Sequence, residues 1–184
     1  MPWPEALRQL ADVDLNALAR DRLDAPGDPV ARGTGASAGV ASGRIAFDRE
    51  SAERQASAGD PVILMRPDTS TADIGGFAVA TGIVTARGGR TAHAALVARQ
   101  MGKPSVVGCE RLEIDLEARR ARLADAVLRE GEWISIDGAN GAVYLGRGQI
   151  VHERPSVELG ELERWRLQAM APHKVPDLGS EVPQ

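Results

Sequence analysis

The sequence predicts an α/β fold, and three patterns indicate it. A short apolar run at 82–86 leads through a glycine turn into 92–101, whose residues are nearly all good helix formers, so the order is strand, turn, helix. A second apolar run, 62–66, has the composition of a buried strand. Near 133–145, two apolar segments flank a turn-forming stretch, which is typical of a β-hairpin.

The first part of the chain predicts helices followed by a linker. Leucines spaced among charges from 5 to 23 predict one or two short amphipathic helices. Proline, glycine and aspartate concentrate at 24–29, which predicts a linker. The next segment, 30–43, is rich in glycine and leads to an alternating strand at 44–48. It contains neither of the glycine patterns of nucleotide-binding loops, so that function is weakly supported.

A short surface helix is predicted at 51–58, before the apolar strand. After that strand, Ser70 and Asp73 have the spacing of a capping box, which predicts the start of a second short helix. Gly75-Gly76 is interpreted as the end of that helix.

Beyond the central helix, Gly102 to Pro104 predict a stop and 105–109 a strand. Segment 111–130 is ambiguous, because its leucines permit a helix while 119–123 alternates like a strand. The hairpin follows. The last segment predicts a helix at 157–171 and a disordered, proline-rich end.

Composition limits the possible functions. The chain has 184 residues, a net charge of −4 and 3% aromatics, which does not favour nucleic-acid binding. The single cysteine, Cys109, allows no internal disulfide and is interpreted as a small buried hydrophobe. No signal peptide or membrane span is evident, so we expect a cytoplasmic protein. His152 and His173 have no metal-ligand partners at useful spacing and are expected in solvent. The initial Met and polar end suggest a complete short protein.

His93 is the residue with the strongest chemical context. Gly88 and Gly89 let a phosphate-sized group approach the main chain, and Thr91 is predicted to cap the following helix. The N–H groups of a first helical turn attract anions and disfavour imidazolium, which leaves a neutral ring nitrogen able to attack phosphorus. Two arginines, Arg87 and Arg90, could pair with phosphoryl oxygens. A hydrogen-bonded structural histidine is the competing interpretation.

At these residues the sequence resembles the phosphohistidine, or swivelling, domain of phosphoenolpyruvate (PEP)-utilising enzymes, above all pyruvate, phosphate dikinase. PEP synthase and Enzyme I of the sugar phosphotransferase system share the domain. The family motif T-x-x-G-G-x-T-S-H-x-A-x-x-A-R stands at Thr85 to Arg99, with Ala92 where serine is usual.

The resemblance implies a β/β/α swivelling phosphohistidine domain in which His93 becomes phosphorylated. It also implies that Thr91 matches a regulatory threonine and that Thr69 and Asp73 lie near the histidine as supporting residues. For the ambiguous segment 111–130 it favours short strands. For the glycine-rich segment that opens the domain it implies close backbone packing.

The predicted organisation is a helical flank and linker at 1–27, a mobile domain at 28–150, and a C-terminal helix with a disordered tail at 151–184. The resemblance implies a phosphoryl carrier, hence a part-reaction phosphotransferase and not a complete kinase or dikinase. Its partners would be an ATP-binding and a PEP/pyruvate-binding catalytic domain or subunit, which would hold the Mg²⁺. The domain itself is expected to bind no cofactor or metal. The alternatives are a non-catalytic binding or regulatory module that keeps the fold, and an inactive remnant.

Overall fold

A computed structural model describes residues 20–69, 73–153, 160–161 and 164–165. Residues Arg20–Glu153 form one compact unit. Residues 5–19 of the predicted N-terminal helices and the predicted disordered end lie outside the described residues. The predicted helix at 157–171 also lies outside them, apart from four residues that have helical backbone.

Within the described residues, the compact unit contains three α-helices and thirteen strands. The helices are α1 (Arg49–Ser57), α2 (Ile74–Val79) and α3 (His93–Gln100). The strands are β1 (Arg20–Asp24), β2 (Ala31–Arg32), β3 (Thr34–Ser37), β4 (Val40–Ala46), β5 (Val62–Arg66), β6 (Gly82–Thr85), β7 (Ser105–Val107), β8 (Leu112–Asp115), β9 (Arg120–Leu123), β10 (Ala126–Arg129), β11 (Trp133–Asp137), β12 (Ala142–Leu145) and β13 (Gln149–Glu153).

Eight of these strands form one mixed sheet in the order β2-β12-β11-β4-β5-β6-β7-β3. Its centre, β4 to β7, is parallel, and its other pairings are antiparallel. The central strands are apolar along their length because both faces of the sheet are covered. The predicted strand at 62–66, the hairpin and the α/β class are confirmed.

Two separate cores show how the layers stack. Ile63 and Met65 of β5 belong to a core that includes Leu123 of the small sheet β10-β9-β8. The alternate residues of the same strand, such as Leu64, belong to a core shared with Phe77 of α2 and other helical side chains. Because successive strand side chains point to opposite faces, the small sheet covers one face of the large sheet and the helices cover the other. The layer order is therefore β/β/α, as expected.

The ambiguous segment 111–130 is the small three-stranded sheet, so the preference for strands is confirmed. In β9, Ala121 and Leu123 are buried while Arg120 and Arg122 are exposed, which is the alternation of a half-buried strand. Arg119 and Ala124 adopt left-handed backbone, with φ of 48° and 55°, and so interrupt any helix through the segment.

Part of the predicted N-terminal helix is wrong. Residues 20–23 belong to β1, which pairs antiparallel with β13, so that Leu23 lies opposite Ile150. The leucine spacing is compatible with a helix locally. The partner strand, β13, is the last strand of the compact unit in chain order. This pairing between segments distant in sequence makes residues 20–23 extended.

The interpretation of Gly75-Gly76 as a helix end is also wrong, because both glycines lie inside α2. A Cβ atom at Gly75 would lie 2.5 Å from Nε of Arg49, and one at Gly76 would lie 3.2 Å from a methyl group of Leu64. These glycines therefore let α2 approach α1 and β5 closely. Asp73 is the N-cap residue, but its side chain makes no capping hydrogen bond.

Close backbone packing of the glycine-rich segment is confirmed. A Cβ atom at Gly33 would lie 2.8 Å from the carbonyl oxygen of Val107, and one at Gly43 would lie 2.8 Å from that of Pro61. Real Cβ atoms do not approach backbone oxygens so closely. Side chains at these positions would force neighbouring strands of the large sheet apart.

Asp48 joins the helical layer to the small sheet. One carboxylate oxygen accepts the N–H of Ser51 at 2.7 Å and so caps α1. The other accepts a hydrogen bond from Arg119 at 2.7 Å, and Arg119 also contacts Glu130. Burial by itself would raise the pKa of Asp48, but the bonds from Arg119 and Ser51 outweigh it and hold the pKa below its ordinary value.

This contact predicts a pH-dependent stability difference. Asp48→Asn keeps a capping oxygen but loses the charge, and should lower the free energy of unfolding by about 1 kcal/mol at pH 7, a modest figure because both side chains are partly solvated. A depressed pKa stabilises the fold above the unfolded value of about 3.9, and that contribution disappears as pH falls through the folded pKa. The difference between wild type and variant in urea unfolding should therefore shrink as pH falls below the unfolded value and vanish once pH lies below the lowered pKa of Asp48 in the folded protein.

A matched control is Asp125→Asn, which removes the charge of a fully exposed partner of Arg111 at 3.7 Å and should leave the midpoint of urea unfolding unchanged. Equal effects of the two substitutions at pH 7 would contradict the role given to Asp48.

Candidate functional site

The candidate site lies at the carboxyl edge of the parallel strands β5 and β6. Residues 86–92 connect β6 to α3, and His93 is the first residue of that helix. The connection is held to the end of β5, because the N–H groups of Ala86 and Arg87 donate to the carbonyls of Arg66 and Pro67, both at 3.0 Å. The parallel sheet thus fixes the loop that presents the histidine.

The two glycines of the loop have different roles. Gly88 has a φ of 106°, which ordinary residues rarely adopt, and a Cβ atom there would lie 3.1 Å from the Cβ of Ala92. The next residue, Gly89, has no atom within 4 Å of its Cβ position and no positive φ. Gly108 packs directly against this turn, since a Cβ atom at Gly108 would lie 2.5 Å from the carbonyl oxygen of Gly88. Gly88 therefore shapes the turn, while Gly89 leaves open space.

His93 is exposed at the start of α3, and its ring makes no hydrogen bond within the described part of the chain. The opposite face of the helix is anchored by Ala94, Ala95 and Ala98, which are buried against the sheet. The histidine is thus held by backbone and helix packing and not by contacts of its own ring. This differs from the hydrogen-bonded structural histidine that was the competing interpretation.

The predicted capping role of Thr91 is wrong. Ala92 is the N-cap residue, and no side chain caps the helix. Thr91 is exposed one residue earlier. The N–H groups of the first turn have no intrahelical acceptors, so they remain available to an external anion beside His93.

Three arginines surround the histidine in sequence, and two of them are tied to the loop. The Nε group of Arg90 donates to the carbonyl of Gly35 at 3.3 Å, and Arg99 donates to the carbonyl of Arg90 at 2.5 Å. Arg87 is exposed. No role for Arg99 is predicted from the sequence. Its place on the helix that follows the loop, six residues or about 1.7 turns beyond His93, is the only signal that it returns to the loop.

Thr69 and Asp73 lie on the segment that follows β5, at the edge of the sheet where the histidine is presented. Thr69 is half-buried, two residues after the carbonyl that binds Arg87. Asp73 is buried, and its carboxylate lies 3.1 Å from Nε of Arg66, another residue that the sequence argument missed. Arg66 also donates to the carbonyl of Phe47 at 2.8 Å. A supporting role for Thr69 and Asp73 beside a phosphoryl group stays a prediction.

Cys109 supports the site only through its backbone, whose N–H donates to the carbonyl of Thr85 at 2.9 Å. Its side chain is buried, and burial raises the pKa of the thiol. The interpretation of Cys109 as a small buried hydrophobe is confirmed. In the described residues no group of three or more His, Cys, Asp or Glu is placed to hold a metal ion, and no helix there has the length and apolarity to cross a membrane.

The different geometries of the adjacent glycines predict different effects of alanine. Gly88→Ala should lower the free energy of unfolding by about 1–2 kcal/mol, because alanine must adopt a φ that it disfavours and press on Ala92. Gly89→Ala, the matched control, should change it by less than about 0.5 kcal/mol. Urea unfolding of both variants measures the difference. Equal destabilisation would contradict the geometry described for the turn.

The fold and the site together define a β/β/α domain that presents an exposed histidine at the start of a helix. Residues 58–141 match the family model of the PEP-utilising enzyme mobile domain. This chain therefore belongs to the family of mobile domains of PEP-utilising enzymes.

Its curated relatives include pyruvate, phosphate dikinases. Pyruvate, phosphate dikinase 2 of Oryza sativa subsp. japonica is 41% identical over 164 residues, which cover 87% of this chain and 18% of the relative. The pyruvate, phosphate dikinase of Entamoeba histolytica is 39% identical over 158 residues, which cover 85% of this chain and 18% of that enzyme. This chain thus spans less than a fifth of the length of these relatives.

A third relative, the chloroplastic pyruvate, phosphate dikinase 1 of Arabidopsis thaliana, is 41% identical over 80% of this chain and 16% of its own length. An NMR solution structure of an Enzyme I protein superposes on 58% of this chain and 38% of its own with a TM-score of 0.32 and 23% identity, too loosely to add to the description of the fold.

Proposed function

We propose that this chain is a phosphoryl carrier and that His93 is the covalent acceptor. The observation that supports this most directly is the placement of His93, whose ring is exposed and makes no hydrogen bond within the described residues at the first position of a helix. An acceptor ring must reach a donor on another domain, and a free ring at the end of an anchored loop meets that need. Membership in the mobile-domain family supports the same role.

The transfer step follows from the chemistry of imidazole. The lone pair of one neutral ring nitrogen attacks phosphorus and forms a P–N bond, while the bond from phosphorus to the donor oxygen breaks and its electron pair stays on that oxygen. The proton on the second ring nitrogen remains in place during attack. Transfer to the final acceptor reverses these changes, with an acceptor oxygen as the attacking group.

The surroundings of His93 supply stabilisation for the negative oxygens of the transferred group. We assign this role to the N–H groups of the first turn of α3 and to the side chains of Arg87 and Arg90. The open space at Gly89, beside Gly88, gives the phosphoryl group room to approach the backbone. Phosphoryl transfer depends chiefly on positioning and on neutralisation of charge by cations. Thr91 is exposed two residues before the histidine, and we propose it as a regulatory site.

The proposed partners are an ATP-binding and a PEP/pyruvate-binding catalytic domain or subunit, which hold Mg²⁺ at their own sites. The relatives are several times longer than this chain, so it corresponds to one part of such an enzyme. We expect it to carry out half-reactions only, and to do so in the cytoplasm.

The test is the intact mass of the purified chain after incubation with Mg²⁺, either PEP or ATP, and lysate from its own source. The expected result is a gain of one phosphoryl group that is lost in acid and that peptide fragmentation maps to His93. A stable phosphate on a hydroxyl side chain would contradict the proposal. No gain with either donor would favour a non-catalytic binding module.

A further inference from the structure

The solvent face of α3 differs from that of an ordinary surface helix. Leu96 lies one turn after His93 on the same side of the helix and is 49% exposed. Gln100 continues that side by another turn. In α1, by contrast, charged residues occupy the solvent side, where Arg49 pairs with Glu53 at 2.6 Å. A single exposed leucine is common, but here it adjoins the proposed acceptor.

The charge around this leucine is also unusual. The chain carries 26 acidic side chains and a net charge of −4, yet none of them falls within 74–109. The same stretch carries four cations: Arg87, Arg90, Arg99 and Lys103. None of the four makes an ion pair with another residue in the described ranges, whereas nine other arginines there do.

No acidic residue outside that stretch forms an ion pair with these four cations within the described contacts. Asp68 accepts the N–H of Thr69 at 2.7 Å, and Asp73 pairs with Arg66. The cations near α3 instead donate to backbone carbonyls or extend into solvent. In an acidic chain, the stretch around His93 thus carries four cations and no acidic side chain, and it exposes Leu96 on the same helix as the histidine. We call this surface the carrier face, and it comprises His93, Leu96, Gln100, Arg87, Arg90 and Arg99.

We propose that the carrier face docks onto an acidic surface of the catalytic domain or subunit that donates the phosphoryl group, and that Leu96 enters an apolar recess there. This inference rests on the proposed function and adds the chemistry of the partner. Unpaired cations attract an acidic surface and speed its approach, and burial of an exposed leucine stabilises the complex. One leucine offers too little apolar area to anchor the face on a membrane, so a protein is the committed partner.

The experiment compares two donors for His93. One donor is the source lysate with Mg²⁺ and with PEP or ATP, whichever phosphorylates the wild type. The chain is used at concentrations low enough for the rate to be proportional to the chain concentration. The other is phosphoramidate, a small donor that needs no docking. The variants are Leu96→Gln, which removes the apolar group without adding charge, and Val127→Gln, a control that changes a 61% exposed valine on the small sheet.

We expect Leu96→Gln to lower the lysate-driven rate by about 10-fold or more, the effect of losing one well-buried interface side chain. Val127→Gln should stay within about twofold of wild type. The three proteins should react alike with phosphoramidate. Added salt should slow the lysate-driven reaction more than the phosphoramidate reaction, because it screens the attraction between the surfaces.

The outcomes separate this inference from the function on which it rests. Equal lysate-driven rates for the two variants would overturn the docking face while leaving the carrier intact. Equal slowing of Leu96→Gln with both donors would also overturn it, since Leu96 would then act on the histidine itself. If the lysate-driven rate did not depend on salt, the proposal that the partner surface is acidic would be overturned. Failure of the lysate to phosphorylate wild type with either donor would overturn the carrier function, and the docking face with it.

Discussion

A His93→Gln variant should gain no acid-labile phosphoryl group under conditions in which the wild type gains one. Glutamine is a good helix former and the position is exposed, so the fold should be retained within about 0.5 kcal/mol. The substitution removes the nucleophilic nitrogen, and the arginines and backbone N–H groups around it cannot form the covalent bond. Intact mass before and after acid treatment gives the result directly, and circular dichroism confirms that the variant is folded.

The matched control for this loss is His152→Gln. His152 is also exposed, with 79% of its side chain accessible, but it lies on β13 beside Asp21 and far along the chain from the glycine turn. This variant should gain phosphate like the wild type. Acid-labile phosphate that persists in His93→Gln would contradict the assignment and direct the search to His152 and His173.

The second large effect concerns stability. Gly138→Ala should lower the free energy of unfolding by about 3 kcal/mol, because the added methyl group has no space. Its Cβ atom would lie 2.0 Å from the carbonyl oxygen of Ser37 and 2.8 Å from the backbone nitrogen of Ser105. Both contacts are with backbone, which cannot move aside as a flexible side chain can. The hairpin turn would have to separate from the edge strand β3 and from its neighbour β7.

Thermal unfolding measures this effect, and the midpoint should fall by about 10 °C for a domain of this size. Gly27→Ala is the control, since no atom lies within 4 Å of its Cβ position and its φ is ordinary. That variant should unfold within about 2 °C of wild type. Equal midpoints for the two variants would contradict the packing of the turn against β3 and β7.

Local sequence patterns were sufficient to predict an element where its buried and exposed residues, or its helix-forming residues, follow a regular order along the chain. The apolar run at 62–66 predicted β5 because a strand covered on both faces needs apolar side chains throughout. The stretch around 92–101 predicted α3 because good helix formers follow a glycine turn there. The position of His93 at the junction followed from the same pattern. These features depend on neighbours within a few residues, which is the range that a sequence pattern reports.

Contacts between distant segments decided the rest. The helical leucine spacing near Leu23 could not reveal that β1 pairs with β13, and a glycine pair that looked like a helix end is instead the place where α2 packs against Arg49. The sequence by itself determined the α/β class and the strand, turn and helix at the site, and it singled out the residue that we propose as the nucleophile. Only the tertiary structure decided that Gly88, and not Gly89, needs a glycine's backbone conformation and that α3 begins after Ala92 without a capping side chain. It also decided that the cations near His93 have no acidic partner within the described residues. Burial, backbone conformation and charge pairing at these positions depend on residues that are close in space and distant in sequence.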